Sequence, residues 1–198
     1  MKIALYFLAI FVLGVSAQAD EAKHSHTSEY AGEEKRSIKG LSSDDIAELR
    51  RGGGWGLAKT AELNGVPGPA HLLEMKNQIP LSDDQILAID EIYKQMKTQA
   101  ILQGERLIAL EGELERLFRS GSVTQDGLRS SLNRIAEART QLRFTHLATH
   151  LKTSDILTRA QIGKYNELRG YSNPSLHADV PAGHGAEMRH KPKMGANN

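Results

Sequence analysis

From Ser82 to Arg119 the apolar residues recur at alternating steps of three and four: Ile86, Ile89, Tyr93, Met96, Ala100, Gln103, Leu107, Leu110, Leu114 and Leu117. Nine of these ten positions are apolar or Ala, the pattern of a coiled-coil seam. At about 1.5 Å per residue the helix would run roughly 57 Å, so its stripe needs a partner helix of similar length. One follows. Ser120 to Thr124 reads as a short turn, and Leu128, Leu132, Ile135, Leu142 and His146 define one face of a returning helix that ends near Thr153. The two helices are expected to pack antiparallel. Gly104 and Gly112 lie off the seam, where each costs up to ~1 kcal/mol relative to Ala, so bending or close contact is expected there.

Shorter elements flank the hairpin. Ser43 to Arg50 reads as a short helix with Asp44 and Asp45 in its first turn, where carboxylates favour the helix dipole, and Gly52 to Gly54 end it. Trp55 begins a short apolar helix reaching Leu63, and the Asn64-Gly65-Val66-Pro67-Gly68-Pro69 turn leads into another from His71 to Ile79. Trp55, the only Trp, is either an anchor that packs this segment onto the hairpin or an exposed aromatic contact. The glycines around it are not a phosphate-binding loop, because no Gly-Lys-Ser/Thr follows. A last short helix runs from Thr158 to about Arg169. The expected fold class is all-α: a long antiparallel helical hairpin with short flanking helices, forming a helical domain over residues 41–170. A flexible segment at 20–40 precedes it, and a disordered His/Met-containing tail at 171–198 follows.

Lys2, the apolar run from Ile3 to Val15 and Ala17-Gln18-Ala19 make residues 1–19 an export signal, with cleavage expected before Asp20. An apolar run of about 13 residues falls short of the roughly 20 that span hydrocarbon, so a retained anchor is the weaker reading. Export points to the periplasm. With no Cys there is neither a lipid-attachment cysteine nor a disulfide framework. Removal of Lys2 with the leader turns 25 basic and 24 acidic residues into 24 of each, and a chain of zero formal net charge implies no nucleic-acid surface. A hairpin leaves part of its apolar stripe facing water unless the short N-terminal helices cover it, and a homodimer is expected.

Two helix starts share one phrase: Leu81-Ser82-Asp83-Asp84-Gln85 and Leu157-Thr158-Arg159-Ala160-Gln161. In each, the hydroxyl can accept from free N–H groups of the first turn, the Gln can reach back to the cap's own N–H, and the Leu is placed as a hydrophobic staple. The pair resembles the LTxxQ motifs of the Spy/CpxP family of periplasmic proteins, with ZraP- and CnrX-like relatives, over roughly residues 75–170. Ser82 stands where that motif has Thr and keeps the capping chemistry. The resemblance implies a dimeric, thin, curved cradle that acts as an ATP-independent chaperone or as a stress or metal sensor. Its partners would be unfolded or misfolded envelope proteins, or a membrane sensor kinase. The client-binding face is then assigned to Ile86, Ile89, Met96, Leu107 and Leu110 on one helix and Leu132, Ile135 and Leu142 on the other, some of them dimer core. Such members carry a basic cradle; here only Arg129, Arg134, Arg139 and Arg143 concentrate positive charge, on the return helix.

No catalytic constellation is present: there is no Cys nucleophile, Gly-x-Ser-x-Gly elbow or His-Glu-x-x-His, so a non-enzyme without a required cofactor is expected. His146 and His150, four apart on one helix, could together ligate zinc, copper or nickel, given a third ligand such as His71. His146 could equally be a hydrogen-bonded core histidine. His24, His26, His177, His184, Met188, His190 and Met194 add soft ligands near the ends of the chain. The alternative function is therefore a periplasmic heavy-metal-binding sensor or resistance protein.

Overall fold

A computed structural model describes residues 27–171; the expected export signal at 1–19, His24, His26 and the residues beyond 171 lie outside them. Two compact units divide the chain, Met1–Glu34 and Lys35–Asn198. Of the first, the described part makes turns, with the Gly32 N–H donating to Glu34 Oε2 at 2.8 Å. The second carries six α-helices: α1 (Ser43–Arg50), α2 (Lys59–Leu63), α3 (Pro69–Glu74), α4 (Asp83–Arg119), α5 (Gln125–Asp155) and α6 (Arg159–Leu168). No strand occurs among the described residues, and no helix there is long and apolar enough to cross a membrane.

Local chemistry starts each long helix. Ser82 accepts from the Gln85 N–H at 3.2 Å and Gln85 Oε1 accepts from the Ser82 N–H at 3.0 Å, a complete capping box at the head of α4. Thr124 caps α5 by accepting from Gly127 at 3.1 Å, after a turn in which Gly121 adopts φ +66°. Glu113 pairs with Arg134 at 2.7 Å and Arg106 with Glu137 at 3.3 Å. A step back along α4 is thus a step forward along α5, and the hairpin is antiparallel.

The seam of α4 is buried as its spacing predicts, through Ile89, Met96, Ala100, Leu107 and Leu110. On α5 the buried row is Ile135, Ala138, Leu142, His146, Thr149 and Thr153. Leu132 is not in it and stays 47% exposed, because a three-four rhythm counted back from Ile135 lands on Ser131 and Leu128 instead.

Residues 37–57 form a second layer on this hairpin. Ile38, Leu41, Ile46, Leu49, Trp55 and Leu57 pack with Ala100, Leu107, Ile108 and Leu110 in one apolar cluster. Residues 37–40, expected in the flexible segment, instead lie against α4: Glu115 accepts from the Lys39 N–H at 3.3 Å, and Arg119 donates to the Ser37 carbonyl at 3.3 Å. Gly104 is where the layers touch, since a Cβ there would fall 2.6 Å from the Leu49 carbonyl oxygen. A second cluster, Leu72, Ile79, Ile89 and Tyr165, closes the end of the hairpin near α3 and α6, and the staple residues Leu81 and Leu157 pack against it.

α1 spans Ser43–Arg50 as expected, and two other boundaries differ from the sequence expectation. Ser42 caps α1, and Asp45 three residues on completes a reciprocal box with it. Trp55 does not open a helix: it sits at φ +43° between two glycines, and α2 begins only at Lys59. α3 stops at Glu74 instead of reaching Ile79, whose place before Pro80 disfavours helical geometry.

Candidate functional site

The two repeated boxes meet. Gln85 Nε2 donates to Gln161 Oε1 at 3.0 Å, and Gln161 Nε2 donates to Gln85 Oε1 at 2.9 Å. Each amide also donates once more, Gln85 to the Ile156 carbonyl at 2.7 Å and Gln161 to the Pro80 carbonyl at 2.8 Å. Each Oε1 still accepts from its own cap, Ser82 at 3.0 Å and Thr158 at 2.9 Å. Both carboxamides therefore have their donors and acceptors satisfied while Gln161 is buried, and the node ties the start of α4 to the start of α6.

Beside this node lies a polar cluster built on Glu62 of α2. Its Oε2 accepts from the Tyr165 hydroxyl at 2.8 Å and the Tyr171 hydroxyl at 3.3 Å, with the Arg169 guanidinium at 3.7 Å. Burial, reinforced by the Glu62 charge, pushes the Tyr165 phenol well above its ordinary range, so it remains a donor. The other oxygen, Oε1, faces His150 Nε2 at 3.8 Å, too long for a hydrogen bond. His150 Nδ1 donates to the Val66 carbonyl at 2.8 Å, since a carbonyl can only accept. In the neutral ring this leaves the Nε2 lone pair turned to the carboxylate. Gly68 makes the arrangement possible: a Cβ on it would fall 2.8 Å from His150 Nε2.

His146 and His150 are both buried, but their environments differ. His146 Nε2 is enclosed without a hydrogen-bond partner, and burial, then the neighbouring His150, holds its pKa below the usual imidazole value. Its place in the α5 seam is that of a core histidine. His71 is bonded to Glu74 at 2.9 Å on α3. Among the described residues no group of three or more His, Cys, Asp or Glu is arranged to hold a metal. The partner that spacing alone did not supply to His150 is Glu62, which no local pattern marks.

The eight residues assigned from sequence to a client face divide unequally. Ile89, Met96, Leu107, Leu110, Ile135 and Leu142 are core of the protomer, Ile86 is half-buried, and only Leu132 is exposed. Among the described residues the large apolar side chains that do face water are others: Leu87, Leu102, Phe118, Phe144 and Leu151, besides Tyr30, Leu63 and Leu132. Phe144 (65% exposed) and Leu151 (63%) are two turns apart and share one face of α5. Phe144 edges a shallow groove of about 190 Å³ between α4 and α5, floored by Ile92, Met96 and Ala148 and rimmed by Gln95, Gln99 and Lys152. Exposed apolar groups with a polar rim can hold extended polypeptide weakly and without a fixed register.

No protein family, curated protein or solved structure matches the chain.

Proposed function

We propose that the protein is an exported, ATP-independent chaperone or envelope-stress accessory of the Spy/CpxP type, which binds unfolded polypeptides on the outer faces of its hairpin. The observation that carries this reading is the exposure of Phe144 and Leu151 on one face of α5, beside the apolar floor of Ile92, Met96 and Ala148. The paired boxes, joined through Gln85 and Gln161, support the family resemblance. Homodimerisation into a cradle, and docking on a sensor kinase, belong to the same proposal. The chain acts by binding and has no catalytic step.

Light scattering from an aggregating reduced client tests the reading, with the purified protein at stoichiometric ratios, a chelator and no nucleotide. Suppression is expected; absence of suppression overturns it.

The second reading is metal sensing, favoured by one observation: His150 is oriented through Nδ1 by a backbone carbonyl, while Nε2 faces Glu62 Oε1 across 3.8 Å. Metal-binding imidazoles are commonly held this way, and Glu62 is itself oriented by two tyrosines. Zinc, copper or nickel would be held by His150 and Glu62, with His146 one turn away. Calorimetric titration of zinc into the His150→Ala and Glu62→Ala proteins decides it: each should weaken affinity by about tenfold or more. Unchanged affinity in both excludes this pair.

A further inference from the structure

We propose that residues 38–57 are a releasable strap, which covers an apolar face of α4 at rest and uncovers it by local unfolding. Leu41, Leu49 and Leu57 are the buried side chains of this layer, and they pack in one apolar cluster with Ala100 and Ile108 of α4. α1, the strap's one α-helix, has eight residues, a length at which a helix is not stable without its packing partner, so a strap that lifts also unfolds.

The fastenings are of a kind that can open. Along the rim they are ion pairs, Lys39 with Glu115 at 2.5 Å and Arg50 with Glu105 at 3.3 Å; the second is solvent-facing on both sides, and such a pair holds weakly. At the centre sits Trp55, whose φ of +43° is the only positive one among the described non-glycine residues. Its indole N–H donates to Asp45 Oδ1 at 2.7 Å, and the Arg139 guanidinium lies 4.8 Å from its ring. A bulky residue holds a left-handed backbone only while surrounding contacts impose it, so undocking the indole relieves the strain.

Release leaves the hairpin its own core. The strap meets α4 backbone to backbone at two glycines, with the Leu49 carbonyl over Gly104 and Gly52 against Lys97 and Ile101. Met96, Ile135, Ala138 and Leu142 of the same cluster are contributed by the long helices themselves, and the antiparallel ion pairs of α4 with α5 do not involve the strap. The uncovered stripe of Ala100, Ile101 and Ile108 would extend the surface for unfolded chain; this consequence rests on the chaperone reading, whereas the opening itself does not.

Hydrogen exchange on the purified protein tests the opening. The amides of Arg51, Gly52 and Gly53 are bonded within the strap, and they should exchange at least about tenfold faster than those of residues 96–110, through openings that spare the hairpin. Exchange of both segments in one step would overturn the proposal. The consequence is read separately with Arg50→Cys and Glu105→Cys, joined by a reducible bis-thiosulfonate spacer, the chain having no other Cys. The bridged protein should suppress aggregation several-fold less until reductant frees it; equal suppression in both states overturns the strap's role, while no suppression in the unbridged protein overturns only the chaperone reading.

Discussion

Gln85 and Gln161 form a reciprocal carboxamide pair, each donating to the other's Oε1 at 2.9–3.0 Å while still closing its own capping box. One residue type at one spacing thus does two tasks. It satisfies a helix start locally and joins two starts that lie far apart in the chain. Gln85→Ala should destabilise by about 1–3 kcal/mol, because it strips a donor from Ile156 and leaves the buried Gln161 amide short of a partner. Urea unfolding of both single variants and the double should give a coupling of about 0.5–3 kcal/mol; additive losses would show that the pair contributes nothing jointly.

Gly104 and Gly112 look alike in sequence, yet their substitutions should differ in sign. Gly104→Ala drives a Cβ to 2.6 Å from the Leu49 carbonyl and should cost about 1–3 kcal/mol, outweighing any gain in helix propensity. At Gly112 the nearest atoms are at 3.6 Å, an ordinary contact, so Gly112→Ala should stabilise by up to about 1 kcal/mol. Thermal melts of the two proteins check this directly.

His146 carries a pH signature. Burial keeps its folded pKa below the unfolded value, so the unfolded chain binds more protons between the two. This group's contribution is fully present above the usual imidazole pKa of about 6.5 and is lost as pH falls below it. His146→Leu, which also removes the unpartnered Nε2, should flatten that part of the stability–pH curve; denaturant midpoints across the acid limb measure it.

Phe144→Asp with Leu151→Asp should abolish protection of a client while leaving stability within about 0.5 kcal/mol per site, since both side chains are exposed. The same change at Met96 and Leu107 would bury a charge in the hairpin core and unfold the protein, so loss of activity there would say nothing about clients. Client protection and circular dichroism measured together separate these outcomes.

The starts of α4 and α6, the long seam and the hairpin turn were legible because each arises from residues three or four apart. Capping by Ser82 and Thr158 and the burial of Ile89, Met96 and Leu107 follow from that short range. The exposed apolar face was less so, since one seam read along a helix does not say how much of it a second layer will cover.

The sequence by itself determined an all-helical chain with two long helices and matched capping boxes, since propensity, period and caps are local properties. Only the tertiary structure decided that the strap covers Ala100 and Ile108, that Glu62 reaches His150, and that the two glutamines bond each other. Those meetings join residues dozens of positions apart, and they depend on close approaches such as Gly68 on His150 and Gly104 on Leu49, which packing sets and no local pattern encodes.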